Sequence, residues 1–184
     1  MTRSFEFTAG SPALNFIDTI SARGRDPVEL IVTPDDLSRW LNLAGFKQDF
    51  LIGLEQLQNA RDVREAANDV LAAAVDLKAL PESGVYTLNI WSAGQDFRPQ
   101  LRNGDIVLVS ERPFESVLAH ISADALLMLR SDKVERLRRC TECGMLFFDQ
   151  SRPGKRRWCS SSSGCGNRAK VRRHRERKRL EGNA

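Results

Sequence analysis

CTECGMLFFDQSRPGKRRWCSSSSGCGNRAKVRRHRERKRL, residues 140–180, holds every cysteine of the 184-residue chain and its densest run of positive charge. The cysteines stand as Cys140-x2-Cys143, fifteen intervening residues, then Cys159-x5-Cys165. A two-residue gap in a tight turn lets two thiolates face one ion, and a second pair completes a tetrahedral shell. Gly144, directly after the first pair, supplies the backbone freedom that such a knuckle needs. Disulfides and four unrelated buried thiols are the competing readings. A disulfide framework goes with secretion and a small core, and neither sign is present, so metal is favoured. With Cys140, Cys143, Cys159 and Cys165 as ligands, the fitting ion is a structural Zn2+ with no open coordination position for catalytic water. His120 lies in the body and His174 among arginines, so neither is assigned to the metal.

Between the cysteine pairs, Met145–Phe148 read as an apolar strand and Ser151-Arg152-Pro153-Gly154 as a turn. Arg156-Arg157-Trp158 would bring the chain back to Cys159. A helical pattern follows from Asn167. On it Arg168, Arg172, Arg175 and Arg179 share one face, Lys170, Arg173, Arg177 and Lys178 cover much of the rest, and Ala169 and Val171 are expected to face the zinc core. Knuckle, hairpin and helix with the last ligand at the helix start make a treble-clef-like module. Like charges four apart repel, and phosphates relieve that repulsion while releasing counterions. Arg156, Arg157, Arg168, Lys170, Arg172, Arg173 and Arg175 are therefore the candidate nucleic-acid contacts. Trp158, next to a ligand, is read as packing rather than as a base-stacking platform.

Charge divides the chain at the same place. Residues 1–139 carry 16 Lys or Arg against 20 Asp or Glu, while residues 140–184 carry 12 against 4. An acidic body joined to a basic module points to a polyanionic partner. No apolar run is long enough to span a membrane, and residues 1–20 lack the pattern of a secretory leader, so a cytoplasmic protein is expected.

The body reads as mostly helical. Ser11-Pro12 opens a helix on which Ala13, Phe16, Ile17 and Ile20 recur, with an extended segment over 5–8 before it. Thr33 caps a second helix with Pro34 at its first position, Asp36 in its first turn and Gly45 as its stop. A long amphipathic pattern runs from about Asp49 to Ala79. Residues 81–94 fit a helix or a strand and are assigned to helix. Asn103-Gly104 between two short extended runs predicts a β-hairpin. Helices are then expected over 113–129 and 132–139, the second running straight into Cys140. The whole is an α+β fold: a mostly helical body with one small β-hairpin over residues 1–135, and a treble-clef-like finger ending in a basic helix over 136–184.

Residues 156–175, RRWCSSSSGCGNRAKVRRHR, resemble the CGNR zinc finger of bacterial transcription regulators, whose name-giving motif stands here as Cys165-Gly166-Asn167-Arg168. CTECGMLFFDQS matches the finger's earlier part, and the Cys159–Cys165 gap is one residue longer than is usual for it. ALNFIDT and TPDDLSRWLNLAG, with the segment leading into the finger, resemble the ABATE domain found before such fingers and described as a stress-induced transcription regulator. The resemblance implies a zinc-containing, DNA-binding regulator that works on double-stranded DNA in the cytoplasm, at the nucleoid when bound. It leaves a small-molecule effector and a homodimer as further partners, and an RNA-binding zinc protein as the alternative. Asn15, Asp18, His120 and the scattered carboxylates of the body are the residues from which a catalytic site could be built. No nucleophile–base motif, phosphate loop or catalytic metal spacing accompanies them, so no enzyme is expected.

Overall fold

The computed structural model describes residues 4–46, 50–94, 97–160, 162 and 164–181. Seven helices and three two-stranded antiparallel sheets are found among them. In α1 (Pro12–Ile17) Ser11 caps Leu14 N–H at 3.3 Å, and Asp124 reaches across from α5 (Pro113–Leu127) to accept Ala13 N–H at 2.9 Å. Both orphan donors at this helix start are thereby satisfied. Ala13, Leu14, Phe16 and Ile17 are buried where α1 packs against α5 and α3 (Leu54–Val75). The sequence pattern for α3 began near Asp49, which lies outside the described residues, and ran on to Ala79. The helix itself spans 54–75 and ends at Asp76.

α2 (Pro34–Leu43) starts on a complete capping box, with Thr33 Oγ1 taking Asp36 N–H and the Asp36 carboxylate taking Thr33 N–H at 2.9 Å. Gly45 follows it with φ +90°, as a helix stop requires. α4 (Glu82–Ser92) settles the ambiguous 81–94 stretch as helix, against α3 and α5. β3 (Arg98–Arg102) and β4 (Asp105–Val109) pair through the predicted turn, where Asn103 and Gly104 both take positive φ. Residues 5–8 form no strand.

Two features were not expected. β1 (Ile20–Ser21) and β2 (Val28–Glu29) form a short ladder whose intervening loop, residues 22–27, lies against the knuckle. The body also buries Arg64, whose guanidinium meets Glu29 at 2.6 Å, Glu65 at 2.8 Å and Thr19 Oγ1 at 2.9 Å. A buried guanidinium needs such a complete set of acceptors.

The helix expected over 132–139 is corrected. Only Ser131–Val134 form α6, and Leu137–Arg139 are a strand, β5, paired with β6 (Leu146–Phe148). Leu137 enters the body core together with Leu146. The strand thus delivers Cys140 to the start of a hairpin turn. Arg156–Trp158, which bring the chain back to Cys159, form no strand, and among the described residues β6 pairs with β5 alone.

Finger and body are joined where Leu137 and Leu146 enter the body core, while the cysteines pack in a smaller cluster of their own. Phe148 N–H donates to Ala9 O at 2.8 Å, and Asp149 N–H to Arg136 O at 2.8 Å. Gly24 N–H donates to Cys143 O at 2.9 Å. A Cβ at Gly144 (φ +75°) would stand 2.5 Å from Gly24 Cα, so neither backbone leaves room for a side chain. Gly144→Ala is expected to cost about 2 kcal/mol or more, a fall in melting temperature of roughly 4–8 °C, from left-handed strain plus displaced backbone. Thermal unfolding of the zinc-loaded variant checks this, and an unchanged midpoint would mean that the loop does not dock.

Candidate metal centre and nucleic-acid interface

The knuckle is a tight turn at the end of β5. Cys140 N–H bonds Met145 O at 2.8 Å and Gly144 N–H bonds Cys140 O at 2.9 Å. Thr141 N–H donates to Arg157 O at 3.1 Å, which lays the returning chain beside the knuckle. Asp149, fully buried, accepts Ser151 N–H at 2.9 Å and Arg156 N–H at 2.8 Å and so folds the intervening loop. The fourth cysteine opens α7 (Cys165–Glu181).

All four Sγ atoms lie within 4.8 Å of one another. Cys143 and Cys159 are 3.6 Å apart, Cys159 and Cys165 3.7 Å. Four sulfurs at about 2.3 Å from a tetrahedral ion stand about 3.8 Å from each other, so these spacings fit a zinc-sized ion. The one-residue-longer Cys159–Cys165 gap still closes the cluster; residues 161 and 163 within it lie outside the described residues. Hydrogen bonds from the Cys143 and Cys159 thiols pull the Cys140 thiol far below its ordinary range. Met145 and Phe147 bury the cluster, and Trp158 packs on it.

Arg168 donates to Cys165 Sγ at 3.2 Å, a contact that offsets thiolate charge and orients a ligand. Arg172 meets Glu142 at 2.8 Å, and Arg25 of the β1–β2 loop reaches the same oxygen at 3.1 Å. The Glu142 side chain is only 2% exposed. Hydrogen bonding from Arg172 holds its carboxyl below the usual range. Knuckle, body loop and helix are therefore clamped on one carboxylate. Arg25 and Glu142 were missed at the sequence level. The signal for Glu142 was an acidic residue between two ligands in a basic module, whereas nothing near Arg25 marked it.

The predicted cationic residues separate into two groups. Arg156 is half-buried, bonded to Trp158 O and Ser160 Oγ, with its guanidinium 4.9 Å from the Phe147 ring centre. Arg156, Arg168 and Arg172 thus help to build the finger. Arg157, Lys170, Arg173 and Arg175 are exposed. Trp158 lies beneath Gly166, with Arg157 and Arg173 at 5.5 and 5.9 Å from its ring. On α7 Ala169 is buried as expected, but Val171 is 41% exposed, and every residue from 170 to 180 faces solvent. This helix, about 25 Å long, stands out from the body with arginines around it.

Of the residues considered for chemistry in the body, Asn15 and His120 line one cleft. Asp18 does not join them. It is buried near Arg23, and burial raises its carboxyl well above the usual range against the pull of that guanidinium. No helix among the described residues is long and apolar enough to cross a membrane.

Comparison with known families matches residues 10–132 to ABATE, described as "Putative stress-induced transcription regulator", and residues 136–178 to the CGNR zinc finger. No curated protein matches the chain.

Proposed function

The chain belongs to the ABATE family and carries a CGNR zinc finger behind that domain, and from this premise we propose that it is a DNA-binding transcription regulator with one structural Zn2+. The observation that carries the reading is α7, anchored at its first residue to four clustered sulfurs and projecting into solvent with cationic side chains on every side. Cys140, Cys143, Cys159 and Cys165 would hold the zinc. The ion would supply cross-linking energy rather than chemistry, because four thiolates fill its shell. Arg157, Lys170, Arg173 and Arg175, all exposed, would neutralise phosphates, and arginines on a helix in the major groove can read guanine edges. Such a protein acts by binding rather than catalysis, in the cytoplasm at the nucleoid.

Competition at fixed salt between genomic duplex fragments and structured RNA tests the proposal. Zinc-loaded protein is expected to retain duplex DNA and to enrich a defined motif, whose two-fold symmetry would indicate a dimer. Preference for the RNA would replace the proposal with an RNA-binding role.

A further inference from the structure

A groove of about 520 Å³ runs between the β1–β2 loop of the body and one side of α7. Arg168, Arg172, Arg175 and Arg179 line it from the helix, and Arg25 lines it from the loop. These five arginines meet two glutamates, Glu142 and Glu176, which leaves an excess of three positive charges. The Glu142 side chain is 2% exposed, and one of its oxygens accepts from both Arg172 Nη1 at 2.8 Å and Arg25 Nη2 at 3.1 Å. A single carboxylate thus draws together two guanidinium groups, one from each wall. Both arginine side chains remain about half open to solvent, Arg25 at 51% and Arg172 at 52%. A guanidinium carries five N–H donors, and each of these gives one nitrogen to Glu142. The other side of α7 is cationic as well, with Lys170, Arg173, His174 and Arg177 around a second depression. Residues 170 and 172 stand about 200° apart around a helix, so the two rows face opposite ways.

We propose that the β1–β2 loop of the body belongs to the DNA interface, with the groove seating the phosphates of one strand of the duplex between Arg25 and α7. A major groove about 12 Å wide admits one α-helix and has a phosphate backbone along each flank. A helix lying there meets phosphates on both sides, and α7 carries a cationic row on each. Lys170, Arg173 and Arg177 would face one strand, and the groove the other. The row from Arg168 to Arg179 extends for about 16 Å along the helix, a length suited to successive phosphates of a strand rather than to one small anion. Arg25 and Arg172, set by Glu142, would form a two-pronged grip at which body and finger act together. The close packing of Gly24 on Gly144 fixes the loop beside the knuckle, and with it the place of Arg25. The inference rests on the DNA-binding reading above and adds to it a contact from outside the finger.

The probe is a short, labelled, mixed-sequence DNA duplex, titrated with the zinc-loaded full chain across a salt series and read by fluorescence anisotropy. Arg25→Ala is expected to flatten the slope of log affinity against log salt by about 0.9, a loss of about eightfold near 0.1 M salt. Zinc content should stay at the wild-type value, because Arg172 remains on Glu142. Arg25→Lys keeps the charge and should keep the wild-type slope. Arg98→Ala, on the β3–β4 hairpin, removes an equal charge outside the groove and should leave slope and affinity unchanged. A wild-type slope in Arg25→Ala overturns the groove contact even if its melting temperature falls, and so does an equal flattening by Arg98→Ala. Should Arg25→Ala fail to fold, hydrogen exchange in the wild type decides. Amides of residues 22–27 are expected to exchange more slowly when the duplex is added, and unchanged exchange there overturns the contact. Duplex binding that ignores Arg25 rejects this inference alone, whereas a wild type that retains no duplex rejects the DNA-binding reading as well.

Discussion

Stripping the zinc with a strong chelator, or replacing Cys143 with serine, is expected to abolish duplex binding and to lower the melting temperature of the whole chain. Structural zinc in small finger modules contributes roughly 10–16 kcal/mol of apparent binding energy at neutral pH. Here the cluster holds the first turn of α7, so its loss should unfold much of that 17-residue helix. If the acidic body and the basic finger were independent units, metal loss would leave the body untouched. The structure argues otherwise, because Leu137 and Leu146, on either side of the knuckle, belong to the body core. Each buried leucine contributes about 1.5–3 kcal/mol, so release of the β5–β6 hairpin removes about 3–6 kcal/mol from the body. Metal content, far-UV circular dichroism and thermal melting on one preparation check this. A body transition unmoved by metal loss would count against the shared core.

Replacing Lys170, Arg173 and Arg175 together with alanine should weaken duplex binding on the order of 100-fold or more near 0.1 M salt, with zinc content and melting temperature unchanged. Each lost phosphate contact flattens the slope of log affinity against log salt by about 0.9, so the triple variant should lose about 2.7. Arg168→Ala and Arg172→Ala should differ in kind. Arg168 bonds the sulfur of Cys165, and Arg172 bonds the buried Glu142. Their loss should lower metal retention or melting temperature as well as affinity. Fluorescence anisotropy across a salt series, read beside zinc content, separates the groups. Binding by the triple variant with the wild-type slope would remove α7 from the interface.

Much of this was legible in the sequence because the signals were local. Thr33-Pro34-x-Asp36 specifies its own capping box, Asn103-Gly104 its own turn, and C-x2-C followed by glycine its own knuckle. The misread segment at 132–139 shows the limit. Val134 and Leu137 fit helical spacing, but Leu137 is a strand residue, because pairing with Phe148 and burial in the body core decide its conformation. The same non-local origin hides Arg25, which reaches the finger across 117 residues of chain. The cleft was equally illegible. Asn15 and His120 were noticed for other reasons, and only the packing of α1 against α5 brings them to one cavity.

The backbone contact between Gly24 and Gly144 bears on how such proteins can be recombined. A chimera joining this finger to another sensor domain at a boundary near residue 135 would leave behind the partner glycine, the arginine that shares Glu142 and the apolar bed of Leu137 and Leu146. The transplantable unit is discontinuous in sequence: the finger together with the loop over residues 22–27. Cassettes cut at the apparent boundary should be poorly soluble, whereas grafts that carry the loop should keep their metal.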